Sequence, residues 1–304
     1  MSGSTGLDAF VRAAPSLQPL FEQIARAARS EAPILILGPA GSGRSSVARA
    51  AHHASSRSQG PLVEVDIAAI PSTLFESEFF GFRAGAFTGA TEASPGRVAR
   101  AEGGTLILDR VEELPLGSQP KLLRLLAERQ FTPLGGSQRN ADVRFIAIGA
   151  TDLERRVAQG AFRPDLFYRL EVLTFVLPAL AQRKSDLPAV LDYFLADLAT
   201  RSGRDHLRLG DRALRWMLDY PWPGNLRQVR NVLERALVEA SGATSLDPRP
   251  PRDLVGRPRS LAAIEKEQIE TTLAFTRGHQ GRAAQLLGIS RKTLWEKRKK
   301  YGIP

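Results

Sequence analysis

Gly38-Pro39-Ala40-Gly41-Ser42-Gly43-Arg44-Ser45-Ser46 is entered from the apolar run Ile34–Leu37 and left through the helical stretch Val47–Ala51, and its reading decides the fold. A strand that runs into a glycine-rich loop and then a helix aims backbone N–H groups at one point, and that nest cradles phosphates. Gly38, Gly41, Ser42, Gly43, Arg44, Ser45 and Ser46 are therefore the candidate nucleotide-binding residues. The seventh residue of such a loop should be Lys, a compact charge reaching the β and γ phosphates; Arg44 stands there with a longer, planar guanidinium. The bland alternative is a strand–turn–helix joint that holds no ligand.

Outward from the loop, the short apolar runs Leu62–Val65, Thr105–Leu108, Val143–Ile148 and Val172–Leu177 alternate with helical patterns such as Lys121-Leu122-Leu123-Arg124-Leu125-Leu126. That rhythm predicts an α/β fold, a parallel sheet with helices on both faces. From Asp186 to Ala240 apolar residues recur at helical spacing without a strand run, so a small all-α domain follows. The stretch from Leu246-Asp247-Pro248-Arg249-Pro250-Pro251 to Pro258 cannot hold a helix and reads as a linker to a last helical block. The expected domains are 1–180, 181–243, a linker at 244–260, and 261–304.

With 304 residues and 43% apolar content the chain has room for a real core. Its net charge of +10 and pI of about 10.4 favour a polyanionic partner, and the cations are densest at the C-terminus. No cysteine is present, which excludes disulfides and thiolate metal sites. No run approaches a membrane span and Met1–Gly6 lacks signal-peptide character, so a cytoplasmic location and no membrane partner are expected. The residues before Pro33 are few, so no separate sensory domain is expected among them.

Two further stretches carry chemistry. Gly85-Ala86-Phe87-Thr88-Gly89-Ala90 brackets one aromatic and one hydroxyl with glycines, the makings of a sharply folded contact tip. Gln280 to Trp295 contains a small residue, the turn glycine Gly288 four later, and Ser290 as an N-cap, which together predict a helix-turn-helix. Its second helix would lay Ser290, Arg291, Lys292 and Thr293 toward bases or phosphates in a major groove, while Lys297, Lys299 and Lys300 add phosphate attraction. Arg298 stands where apolar packing on Leu294 is usual; its stem snorkels or the module is weakened.

The contact hexapeptide, together with Glu78-Phe79-Phe80-Gly81 and Gly103-Gly104-Thr105-Leu106-Ile107-Leu108-Asp109, resembles the bacterial enhancer-binding proteins. These are AAA+ activators of sigma-54 RNA polymerase, ending in a Fis-like helix-turn-helix. The resemblance covers the chain from about Leu20 and implies an AAA+ sheet with a helical lid, binding of ATP and Mg2+, and assembly into a ring. It assigns Gly85–Ala90 to contact with the sigma-54 RNA polymerase holoenzyme, Asp109 to Mg2+ through water, and Arg163 and Arg169 to arginine fingers acting in a neighbour's site. Arg227, after Tyr220-Pro221-Trp222-Pro223-Gly224, matches a second phosphate sensor, with Trp222 as packing. Double-stranded upstream DNA is the partner implied for the C-terminal module.

Several positions depart from the family pattern. Arg110 replaces the water-activating glutamate, Asp66 the asparagine that restrains it, and Gly149-Ala150 the polar γ-phosphate sensor; Phe82-Arg83 and Ala181 depart as well. Asp66 and Arg110 are expected to form an ion pair, and Glu112 or Glu113 is the only nearby stand-in for the lost base. Two readings remain open: an ATP-hydrolysing activator, or a hydrolysis-deficient subunit of a mixed ring or antagonist of an active homologue.

Overall fold

A computed structural model describes residues 14–240, 242–251, 265–266, 268–270, 272–273, 276 and 278–303. The chain divides into two compact units, one running to Pro250 and the other from Pro251. Met1–Gly6 and the linker from 252 to 260 lie outside the described residues.

In the first unit, five strands form a parallel sheet: β1 (Ile34–Leu37), β2 (Leu62–Asp66), β3 (Thr105–Asp109), β4 (Arg144–Gly149) and β5 (Leu173–Val176). Their order is β2-β3-β4-β1-β5, which puts β1 and β4 in the interior and half-exposed β2 and β5 at the edges. Alternate residues of a strand point to opposite faces. Ile34 and Ile36 accordingly join one core, while Leu35 and Leu37 join a second with Phe75, Phe79, Leu122 and Leu125. This is the α/β sheet with both faces covered that the apolar runs predict. Register aligns Asp66 with Asp109, Asp109 with Ile148, and Leu37 with Gly149, so the carboxyl ends of four strands stand side by side. In open parallel sheets such ends are where ligands bind.

The helices Leu187–Ser202, Asp211–Asp219 and Asn225–Glu239 form the helical block. Leu187, Val190, Leu226 and Val229 share the core of Ile34 and Ile36, so this block closes directly over one face of the sheet. Trp222 is buried, donates Nε1 to the Met217 carbonyl at 2.9 Å and packs on the Tyr220 ring, as its reading as packing requires. The stretch expected to be linker is still tied down where it begins. Ser245–Leu246 pairs with Arg208–Leu209, Leu246 is buried, and Trp216 Nε1 donates to the Pro248 carbonyl at 3.0 Å. One apolar residue and one indole thus outweigh the prolines as far as Pro248.

In the second unit, the helices Gln280–Leu286 and Arg291–Tyr301 are joined through Gly288, whose φ of +66° turns the chain. Ser290 caps the second helix, its Oγ accepting from Thr293 N at 3.0 Å. Ile269, Leu273, Ala283, Ala284 and Leu294 form the small core.

Candidate functional site

The strand ends, the glycine loop and the helical lid enclose a cleft of about 540 Å3 lined by Gly41, Gly43, Arg44, Ser45, Ser46, Asp66, Asp109, Arg110 and Arg227, with Tyr193 and Phe194 as an aromatic wall. Gly41 and Gly43 have φ of +76° and +107°, conformations that only glycine adopts without strain. A Cβ on Gly41 would stand 2.5 Å from the Gly224 carbonyl, so loop and lid touch through bare backbone.

Three lid contacts fix the loop. Leu226 N donates to the Gly41 carbonyl at 3.0 Å, Asn225 Nδ2 to Ala40 at 2.9 Å, and the buried Arg183 Nη2 to Ser42 at 2.9 Å. Arg183 is oriented by Asp186 at 3.7 Å, whose carboxylate accepts from Ser16 N at 2.9 Å and Ser16 Oγ at 2.6 Å. Sequence reasoning passed over Arg183 and gave Asn225 no role of its own. Two observations fit a phosphate ligand: the Ser42 Oγ is buried without a hydrogen-bond partner, and Arg44, Arg227 and Arg230 line one cleft. Ser45 Oγ donates to Asp109 Oδ2 at 3.2 Å, placing two hard oxygen atoms together.

The altered positions meet one another. Arg44 Nη1 donates to the Gly38 carbonyl at 2.7 Å and also to the Gly149 carbonyl, so the guanidinium bridges the ends of β1 and β4. Burial pulls its pKa down, with Glu112 and Asp109 opposing. Glu112 is itself buried, burial pushes its pKa up, and its Oε2 has no hydrogen-bond partner. It does not line the cleft, while Glu113 pairs with Arg156 at 2.8 Å. Neither glutamate presents a free carboxylate to the cleft: Glu112 faces inward beside Arg44 and the Ala150 backbone, and Glu113 is paired.

Asp66 and Arg110 do meet. Arg110 Nε donates to Asp66 Oδ1 at 2.7 Å and Nη2 to Oδ2, and this bond raises the guanidinium pKa. Their side chains are 46% and 43% exposed, because the strand ends open into the cleft. An exposed pair is worth about 0.2–1 kcal/mol. A double-mutant cycle of Asp66→Ala and Arg110→Ala, read by denaturant unfolding, should return a coupling in that range; strictly additive changes would show that the pair contributes nothing.

Arg163 and Arg169 lie away from their own cleft. Arg163 pairs with Asp165 at 2.7 Å on an exposed surface, and Arg169 donates through Nη2 to the Leu126 carbonyl at 3.1 Å. The hexapeptide forms the tip of a hairpin whose base is the pairing of Gly81–Phe82 with Ser94–Pro95. Gly85 N donates to the Ala90 carbonyl at 2.8 Å and closes the loop, with Gly85 and Gly89 at φ of +79° and +96°. Ala90 is buried, Phe87 is 45% exposed with its ring 5.0 Å from Phe82, and Thr88 projects outward.

On the second unit, Arg291, Lys292, Lys299 and Lys300 are exposed on the last helix. Lys297 is not part of that outward group: its Nζ binds Glu265 Oε1 at 2.5 Å, beside Tyr301, on the inner side. Its charge is thus already paired within the unit. Thr293 is likewise engaged locally, with Oγ1 2.8 Å from the Ser290 Oγ. Arg298 Nε is buried and unpartnered, so its stem packs inward.

Models of three domain families match the chain in succession: the Sigma-54 interaction domain over residues 10–176, the AAA+ ATPase lid domain over 181–249, and Bacterial regulatory protein, Fis family, over 260–301. The chain belongs to the sigma-54-dependent transcriptional activators. Its similarity to regulatory protein AtoC of Escherichia coli (strain K12) is 39% identity, over 95% of this chain and 67% of that protein. With alginate biosynthesis transcriptional regulatory protein AlgB of Pseudomonas aeruginosa it is 40%, over 95% and 66%. The chain thus spans about two thirds of the length of these activators. A solved structure of NtrX from Brucella abortus in complex with ATP superposes with a TM-score of 0.70 at 35% identity, covering 94% of this chain and 68% of that one. The NtrX complex with ADP gives 0.71 at 33%, covering 95% and 69%.

The activator domains coincide with the folded elements. The first match ends at Val176 with β5, and the lid match runs through the Ser245–Leu246 pairing. This activator carries a helix-turn-helix of Fis type. Among its described residues no helix is long and apolar enough to cross a membrane.

Proposed function

We propose that this activator-family chain binds upstream DNA through its C-terminal helix and engages the sigma-54 RNA polymerase holoenzyme through Gly85–Ala90, from within an AAA+ ring in the cytoplasm. The observation that carries this reading is the hairpin tip, which holds Thr88 clear of the domain while Phe87 leans on Phe82. Nucleotide is proposed to bind at Gly38–Ser46 and Arg227, supported by the glycine nest and by the ATP and ADP complexes of NtrX. Bound ATP would supply the γ-phosphate that distinguishes one state of the cleft from another. Asp109, through water, would hold Mg2+ beside the Ser45 hydroxyl.

A second reading is favoured by a specific observation. Arg44 is tied to two main-chain carbonyls and Arg110 to Asp66, so both substituted cations are occupied within the chain. The protein would then act as a hydrolysis-deficient member of a mixed ring, or as an antagonist of an active homologue.

Binding of sigma-54 holoenzyme to the DNA-bound chain, measured with ATP or a transition-state mimic, separates loop from fold. Thr88→Ala should abolish engagement and leave DNA affinity unchanged, because the loop and the helix-turn-helix belong to different units. Equal engagement by wild type and variant would remove the contact-loop reading.

A further inference from the structure

The last helix sorts its residues by face. Leu294 is buried, Lys297 and Tyr301 bind Glu265, and Arg298 Nε is enclosed, so these positions form the inner side. Exposed are Arg291, Lys292, Trp295, Glu296, Lys299 and Lys300, the spacing of a single helical stripe. Four cations occupy the two ends of that stripe, and its centre is one aromatic and one acid.

The ends are suited to phosphates. The Arg291 guanidinium lies against Gly281 of the preceding helix, where an added Cβ would stand 2.3 Å from Nη2, so it is held near the start of the recognition helix. Lys299 Nζ sits 5.5 Å from the Trp295 ring centroid, which fixes indole and ammonium together. The centre is not suited to phosphates. Trp295 is 57% exposed, and among the described residues no cation pairs with the Glu296 carboxylate. A carboxylate aimed into a polyanion is repelled unless it meets a hydrogen-bond donor, and in the major groove the cytosine 4-amino group is such a donor, as the thymine methyl is an apolar contact.

We infer that Glu296 and Trp295 are the sequence-reading residues of this helix, Glu296 accepting from a cytosine 4-amino group and Trp295 packing on a neighbouring thymine methyl, while the flanking cations set register on phosphates. This rests on the DNA-binding reading above and adds to it which base pairs are chosen and by which side chains. Both residues are exposed, so neither substitution disturbs the small core.

The test selects bound duplexes from a library of random sequence with the full chain and repeats the selection with Glu296→Gln, Glu296→Ala and Trp295→Ala. Wild type should prefer cytosine at one position of the selected sequence by about tenfold. Glu296→Ala should lose that preference while binding random duplex more tightly, and Glu296→Gln should shift it toward adenine, which pairs with an amide. Replacing thymine by uracil beside that cytosine should weaken wild type several-fold and leave Trp295→Ala unchanged, whereas Lys299→Ala should weaken all duplexes alike. If the Glu296 variants gain affinity for every sequence equally with base preferences intact, the carboxylate only repels and the inference falls. If wild type binds no duplex, the DNA-binding reading itself falls and takes this one with it.

Discussion

Purified protein should hydrolyse ATP about 10²–10⁴-fold more slowly than an activator that carries the loop lysine and the strand-end glutamate, the range expected when a general base is lost. Three features of the cleft lead there. Arg44 Nη1 is bound to Gly38 and Gly149, so the phosphate-directed cation is tethered by its own sheet. Arg110 carries a positive charge where a proton acceptor is required and is held by Asp66. Glu112, a carboxylate beside Arg44, is buried outside the cleft lining, and burial favours its neutral form. Phosphate release should therefore stay near background in wild type and be indistinguishable from an Asp109→Ala control. Robust Mg2+-dependent turnover that disappears in Asp109→Ala would show that the rewired cleft still performs the chemistry.

A second large effect is expected between subunits. An arginine finger is worth about 10³–10⁵ in rate where it completes a neighbour's phosphoryl-transfer site. Arg163 and Arg169 line no part of their own cleft, as donation to a neighbour requires. Among the described residues, Arg163 is restrained by the exposed Asp165, a pair of little energetic weight, and Arg169 by one main-chain carbonyl. Mixing this chain with a hydrolysis-competent homologue stripped of its own fingers should restore turnover, and the Arg169→Ala chain should not. Absence of rescue, with mixed assemblies demonstrated by native mass, would leave both arginines as surface groups.

The sheet was legible because fully buried parallel strands are nearly continuous apolar runs, and those of β1 and β3 stand out against polar neighbours. The glycine loop was legible for a different reason: its left-handed residues at Gly41 and Gly43 admit few substitutes. The meeting of Asp66 and Arg110 followed from the family resemblance, which puts two changes of opposite charge at neighbouring positions; the register itself pairs Asp66 with Asp109, and Arg110 is the next residue. What stayed hidden depends on side-chain direction. No local pattern says that Arg44 turns back to Gly149, 105 residues away, or that Glu112 faces inward while Glu113 reaches Arg156. Lys297 reads as one more cation on a basic helix until Glu265 is seen beside it. The lid clasp of Arg183 and Asn225 on the loop was equally invisible, because its partners are backbone carbonyls, which carry no residue signature.

Site-specific photocrosslinking shows directly where the Gly85–Ala90 tip points. A photoreactive residue in place of Phe87, in full-length protein bound to DNA with sigma-54 holoenzyme and ATP or a transition-state mimic, should form its adduct with the sigma-54 subunit. The same residue placed at the exposed Val238 of the lid should not. Adducts from position 87 only to other polymerase subunits, or none while the holoenzyme complex is intact, would contradict the contact role of the loop.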